Sequence, residues 1–401
     1  MTTLERRFDV AIVGAGLAGG SLALRLASDG VKVALIDQGR FPREKVCGEF
    51  LSPECWGVFD RLGLTGEVER LGYHPIRRAR ITTPSGRVLE AELTDPDGLP
   101  GIGLGRSALD DLIALAAQAA GAELIEQSRV KEPLLLNDCV AGVSARQGAD
   151  EPFNVSAAVT VAADGRHSPL VHRTGTTRTR SWFRPRYFGL KRHLLASERE
   201  PESDGIVGLH LVAGGYIGTC RIEAGMTNLC GLLPESILRQ HRGNLDRMAD
   251  IVFAGNAVLG RLWHSAPRAS EWKTVADVRV VVSTPGLPGI LYAGDSQGTI
   301  DPLGGQGMTL ALLGAEMLAP YVTRALDEGG VGTILQRAYA ADWHRRFNRR
   351  IMLCRAFHHI LVNPWIVDAG TRFSTIAPRL LTLAYSQTRD PNFTAGPSRT
   401  S

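Results

Sequence analysis

Apolar positions in the first third of the chain follow two rhythms. Phe8-Asp9-Val10-Ala11-Ile12-Val13 and Val31-Lys32-Val33-Ala34-Leu35-Ile36 are short, almost unbroken apolar runs, the pattern of strands covered on both faces. Between them the Ala/Leu-rich stretch 21–28 predicts a helix, so the chain opens as a β-α-β unit and its class is α/β. Residues 77–93 alternate and are interrupted by Pro84-Ser85-Gly86, which predicts a hairpin. From Arg106 a helical pattern runs with Ser107 as candidate N-cap and Gly121 as stop. Buried-type strands return at 155–163, ending in Asp164-Gly165, and at 278–282 and 289–293, leading into Gly294-Asp295.

The texture changes between Trp182 and Lys273, where alternating segments such as Leu209-His210-Leu211-Val212 and 227–233 predict a second, antiparallel β-sheet domain. Strands on both sides of it end alike, so the first domain is expected to be discontinuous: 1–75, 103–180 and 275–330, with 76–102 and 181–274 forming the inserted domain. Residues 331–386 read as C-terminal helices broken at Asn363-Pro364 and Ala377-Pro378, and 387–401 as a disordered polar tail. A cleft between the domains is the expected substrate site.

Chemistry enters with the glycines. Gly14-Ala15-Gly16-Leu17-Ala18-Gly19 follows a strand and opens a helix, and Asp37 closes the next strand, the arrangement of a dinucleotide site. Gly14 permits a sharp turn, Gly16 lets a pyrophosphate approach the backbone, and Gly19 lets helix and strand pack closely. Phosphates meet a helix N-terminus there, and Asp37 is expected to accept ribose hydroxyls. A second acid-plus-glycine segment, from Gly294-Asp295 through Pro302 to Gly304-Gly305-Gln306-Gly307-Met308, precedes a helix at 309–318. Asp295 suits a polyol chain and the turn suits an electron-rich ring edge, and a reduced flavin has both.

These motifs resemble FAD enzymes of the para-hydroxybenzoate hydroxylase fold, a class of aromatic monooxygenases, flavin-dependent halogenases and geranylgeranyl reductases. The resemblance covers about residues 7–330 and implies a Rossmann-type FAD-binding domain carrying an inserted substrate sheet. It implies that Arg106, and less directly Arg43, contact the FAD phosphates, that Val130 and Asp164 join the cofactor contacts, and that Pro302 faces flavin and substrate. The class's middle motif, Asp-Gly-x-x-Ser-x-x-Arg, has Val171 in place of its arginine, with Arg173 nearby.

Lys45-Val46-Cys47-Gly48-Glu49 and Ser52-Pro53 look like the flavin-side loop of geranylgeranyl reductases. Cys47 then either donates a proton or fills the pocket wall. Glu49 either has a pKa raised by an apolar cleft and acts as general acid or base, or is a solvated loop carboxylate. Tyr216 is either a substrate contact or a sheet-core aromatic. It is all that survives of the reductases' Tyr-x-Trp-x-Phe-Pro run, which speaks against an isoprenoid channel, and the absence of Trp-x-Trp speaks against halogenation. By frequency in the class, the favoured expectation is an NAD(P)H-dependent monooxygenase using O2 and a C4a-hydroperoxyflavin on a hydrophobic aromatic, polyketide or isoprenoid molecule. The alternatives are a C=C-saturating flavin reductase and a non-catalytic FAD-binding or redox-sensing protein.

Composition narrows this little further. A chain of 401 residues, 44% apolar with net charge +4, is globular and a poor nucleic-acid binder. Six cysteines without ligand spacing, and no leader ahead of the first strand, point to a metal-free protein of the reducing cytoplasm. No apolar run reaches a membrane span, although the stretch holding Trp343, Arg345, Arg346, Arg349, Arg350, Phe357, Leu361 and Trp365 suits either peripheral membrane contact or packing on the nucleotide domain, the simpler account. The basic run Arg173, Arg178, Arg180, Arg184, Arg186, Lys191, Arg192 is expected to be solvated.

Overall fold

The computed structural model describes residues 5–95, 97–148, 151–176, 178–180, 186–195 and 204–363. The apolar runs assemble a parallel sheet in the order Glu123–Ile125, Val33–Ile36, Glu5–Val13, Phe153–Ala162, with Ile290–Tyr292 also parallel to Phe153–Ala162. Antiparallel strands Cys139–Gln147 and Ser128–Leu136 extend it. The register aligns the carboxyl ends: Ile36 and Ala162 both pair with Val13, and Tyr292 pairs with Ala162. Gly14, Asp37, Ala163 and Ala293 follow immediately, so motifs from distant parts of the chain emerge along one sheet edge, where an open α/β sheet binds ligands.

Two long helices cover this sheet. Leu17–Ser28 starts directly after Gly16, four residues before the expected start at Ser21, because the Gly16 turn itself serves as N-cap. Gly307–Asp327 outruns the expected 309–318 and continues through Pro320. In Arg106–Ala119 the N-cap is Gly105 and not Ser107. Strand Val281–Ser283 pairs with Arg178–Arg180, away from the main sheet.

The hairpin Arg78–Thr82 and Val88–Glu92 joins Ile206–Val212, Gly215–Ile222, Met226–Pro234, Tyr187–Leu195 and Lys273–Val275 in a second seven-stranded sheet. It is not wholly antiparallel as expected, since Ile206–Val212 runs parallel to Arg78–Thr82. Nor is this part of the chain β alone. Helices Glu235–Gln240, Leu245–Ala254 and Ala257–Ser265 follow the strand Met226–Pro234, and Met248, Phe253 and Trp263 bury the face carrying Leu190, Ile217 and Leu229. Asn244 and Asn256 cap the last two helices.

One helix, Thr333–Leu361, ends just before Asn363 and lies across the first unit with Trp343 and Phe347 buried. Trp365, the Ala377-Pro378 break, the polar tail and Arg184 lie outside the described residues. Two members of the basic run are not solvated: Lys191 and Arg192 are buried, the first on Glu49 and the second on Asp246. All six cysteines are free thiols, and among the described residues no helix is long and apolar enough to cross a membrane.

Candidate functional site

The first glycine loop carries its reasons in its geometry. Gly14 sits at φ +102°, and a Cβ there would stand 2.4 Å from the Ala163 carbonyl oxygen. A Cβ on Gly19 would stand 1.9 Å from the Gly14 oxygen, so helix and strand touch through bare backbone. Gly16 differs: a Cβ would meet only two guanidinium nitrogens, Arg106 Nη2 at 3.6 Å and Arg43 Nη2 at 3.8 Å. Two cations therefore face a gap at a helix start that no side chain caps, as a diphosphate requires.

Acidic partners aim these cations. Arg106 makes a bidentate pair with Asp110, both bonds 2.8 Å, and Arg43 reaches Asp110 at 3.4 Å and Asp37 at 2.9 Å. Asp37 also accepts from the backbone N–H groups of Ala15 and Gly39, each at 2.8 Å. Three protein donors thus tie Asp37 to the loop, and a carboxylate's lone pairs leave room for a further one. Sequence reasoning missed Asp110; an acid one helical turn after Arg106 was the available signal.

A cavity of about 650 Å³ begins at this loop and is lined by both glycine turns. Gly16, Leu17, Ala18 and Arg106 meet Gly294, Asp295, Pro302, Gly304, Gly305, Gly307 and Met308 across it. Gly14, Ala15, Gly19, Asp37, Arg43, Asp164 and Gln306 do not line it. Val130 is packed against the opposite side of the sheet with Val13 and Ile36 and its side chain does not reach the cavity. Ser296 Oγ accepts the Gly165 N–H at 2.9 Å and lies 3.1 Å from Asp164 Oδ1, which fastens the middle motif to the third.

The Gly307–Asp327 helix also starts without a side-chain cap. Beside it Gln306 is fully buried, yet neither end of its amide has a partner among the described residues. Uncapped N–H groups and the Asp295 carboxylate together fit the polar edge and hydroxylated chain of a flavin. Packing explains other glycines of this turn: a Cβ on Gly298 would strike Trp343 at 2.4 Å, and one on Gly304 would strike Cys354 Sγ at 2.5 Å. The C-terminal helix therefore rests on the turn, and His358 Nδ1 lies 3.0 Å from Asp301 Oδ2 beside Pro302.

The loop 45–49 forms the cavity's middle wall. Cys47 lines it, its thiol interacting with the Arg106 guanidinium, and Asn228 Nδ2 donates to the Cys47 carbonyl at 2.9 Å. Lys45 lines the cavity with its side chain exposed to it, and the protein packed around the site and the charge of Arg106 lower its pKa.

Glu49 corrects both sequence expectations. It is 1% exposed, not solvated, and its pKa is lowered, not raised. Burial alone would push the carboxyl up; the hydrogen bond from His193 at 2.7 Å and the ammonium of Lys191 at 2.6 Å outweigh it. Its Oε1 also accepts the Arg106 N–H at 2.8 Å. These donors tie the loop to the second sheet and to the start of the helix Arg106–Ala119.

Past Cys47 the cavity becomes apolar. Ile81, Leu89, Leu209, Leu232 and Val275 of the second sheet, with Val278 just beyond it, face Leu303, Phe357, Ile360 and Leu361. Tyr216 lines this chamber, 4% exposed.

Residues 7–187 match the FAD binding domain family. Among curated proteins, the chain is 26% identical to conditioned medium factor receptor 1 of Dictyostelium discoideum over 91% of the chain and 73% of that protein. It is 27% identical to menaquinone reductase of Mycolicibacterium smegmatis over 95% and 91%, and 25% identical to digeranylgeranylglycerophospholipid reductase 2 of Methanothermobacter thermautotrophicus over 88% of each. Among solved structures it superposes on the flavin-dependent brominase Bmp2 with a TM-score of 0.80 at 19% identity, covering 97% and 96% of the two chains.

Proposed function

From the premise that this chain is an FAD-dependent oxidoreductase built on an FAD binding domain, we propose that it saturates C=C bonds in a hydrophobic molecule bearing isoprenoid units. The observation that carries this reading is the continuous cavity: a nucleotide cradle, then Cys47, then an apolar chamber walled by the second sheet and the C-terminal helix. Two relatives aligned over nearly their full length are reductases, and a digeranylgeranyl lipid and a menaquinone both carry unsaturated prenyl chains. The missing Trp and Phe of the geranylgeranyl reductase run are offset in this chamber by Phe357, Ile360 and Leu361, supplied from the C-terminal helix.

Bound FAD, reduced by NAD(P)H, would supply the hydride. Gly16, Arg43 and Arg106 would hold its diphosphate, Asp295 its hydroxylated chain, and the Gly307 helix start its electron-rich ring edge. The apolar chamber orients the chain of the substrate and excludes water. Cys47 lies on the wall between cradle and chamber and is the candidate proton donor to the second carbon.

Monooxygenation, the commoner chemistry of the fold, gives the opposite result in one experiment. FAD-loaded protein is reduced with NADH or NADPH and given geranylgeraniol, under argon in one arm and under ¹⁸O2 in the other. Products heavier by two hydrogens per reacted bond under argon support the proposal. Label incorporation that requires oxygen, with no product under argon, replaces it by monooxygenation, and reaction in neither arm leaves a protein that binds FAD without this chemistry.

A further inference from the structure

The cavity holds a cation that its acids do not match. Lys45 stands on the loop 45–49 with its backbone carbonyl held by Lys191 Nζ at 3.3 Å, and its side chain opens into the cavity, where a bound molecule can reach it. Among the described residues its ammonium makes neither a hydrogen bond nor an ion pair, which leaves its donors unspent. The acids whose charge reaches it are engaged elsewhere: Asp295 faces Arg166 at 3.7 Å, and Asp110 holds Arg106 and Arg43. Glu44, its neighbour in sequence, pairs with Lys273 at 3.4 Å, and Glu49 pairs with Lys191 and His193.

The tip of Lys45 lies toward the flavin half of the cavity. A Cβ on Gly165 would have Lys45 Nζ as its neighbour at 3.7 Å, whereas one on Gly16, at the diphosphate turn, would meet Arg106 and Arg43 but not Lys45. Ser296 fastens the Gly165 turn to Asp164 and to the Gly294-Asp295 segment, so the ammonium stands beside the part of the cradle assigned to the hydroxylated chain and ring. An oxidised flavin ring is neutral and offers a cation little; gaining two electrons and one proton leaves it with a negative charge, and charges near the ring tune its electronics. Between protein walls an opposite charge counts for more than it does in water. We propose that Lys45 is a cofactor-binding residue whose ammonium holds the reduced flavin more tightly than the oxidised one, by matching the charge the ring gains on reduction. This inference rests on the cavity as the FAD site, with the flavin end at Asp295, and not on which reaction follows.

The test compares wild type, Lys45→Met and Lys45→Arg with no substrate present. Equilibrium dialysis gives the affinities for oxidised FAD and for ADP, and anaerobic dithionite titration against a reference dye gives the midpoint potential of the FAD-loaded protein. In Lys45→Met the potential should fall by about 30 mV, which for a two-electron couple means reduced FAD held about tenfold more weakly relative to oxidised FAD. Affinities for oxidised FAD and ADP should stay within about twofold of wild type, and Lys45→Arg should recover the potential. An unchanged potential in Lys45→Met overturns the proposal, and equal losses of FAD and ADP affinity beside it would give the cation to the diphosphate. Because no substrate turns over, a protein that shows the shift but incorporates oxygen under turnover keeps this inference and loses the reductase assignment.

Discussion

Glu49 shows how one side chain can serve both halves of the molecule. It lies at φ +55°, in the left-handed region that non-glycine residues seldom occupy, and is held there by Lys191, His193 and the Arg106 N–H. Replacing it by Gln leaves Lys191 as a buried cation with a weakened partner, and a loss of about 3 kcal/mol is expected by urea denaturation at neutral pH. The pH dependence has a definite sign. A carboxyl whose folded pKa lies below its ordinary value near 4.5 stabilises the fold above that value, and the contribution disappears as pH falls through the lower folded pKa. Wild type should therefore lose stability on acidification below about pH 4.5 more steeply than Glu49→Gln, and parallel curves would remove Glu49 from this role. Asp295 carries a cofactor prediction: Asp295→Ala should retain FAD at least about tenfold more weakly in an equilibrium dialysis assay, since charge-assisted hydrogen bonds to hydroxyls are lost. Unchanged retention would move the ribityl contact elsewhere.

At the scale of elements, the helix Thr333–Leu361 is the part least legible in the chain. Its helical character could be read, and so could its end before Asn363-Pro364. Its inward face could not, because Arg350 looks like one more cation in a basic stretch and its partner Glu54 lies 296 residues earlier. The pair is buried and bidentate, both bonds 2.8 Å. Arg350→Met should cost about 3–5 kcal/mol, because Glu54 is left as an uncompensated buried charge. Adding Glu54→Leu should recover most of that loss in the same thermal melts, as apolar replacements of both partners often do. The helices after Glu235 were hidden for another reason: short alternating segments upstream set a β expectation, and the signals against it were two single residues, Asn244 and Asn256, each capping through a side-chain oxygen. The β-α-β opening, the hairpin and both glycine turns were legible because their patterns are local, complete within about thirty residues, and enforced by steric limits such as the Gly19–Gly14 contact.

On the scale of the whole molecule, the sequence motifs converge on one cavity, but the reaction performed there is set by features that no local pattern encodes. The chamber is assembled from strands of the second sheet and the C-terminal end of the helix Thr333–Leu361, far along the chain, so its apolar character emerges only in the fold. Ties that cross between the second sheet and the FAD-binding unit include Glu49 to Lys191 and His193, Glu223 to the Gly105 N–H, and Asn228 to the Cys47 carbonyl. They predict how the protein responds to loss of its cofactor. FAD bound to the native state alone stabilises it by RT ln(1 + [L]/Kd), about 2.7 kcal/mol at one hundred times Kd, so the apoprotein should melt at lower temperature. If the cofactor were the main link between the two units, stripping it would split the calorimetric trace, with the FAD-binding part melting first. Because buried ion pairs and hydrogen bonds already join the units without it, apo- and holoprotein should each show a single transition, displaced as a whole. An apoprotein trace with two peaks, of which only one moves when FAD is restored, would show that the ties through Glu49 and Asn228 do not make the halves cooperative.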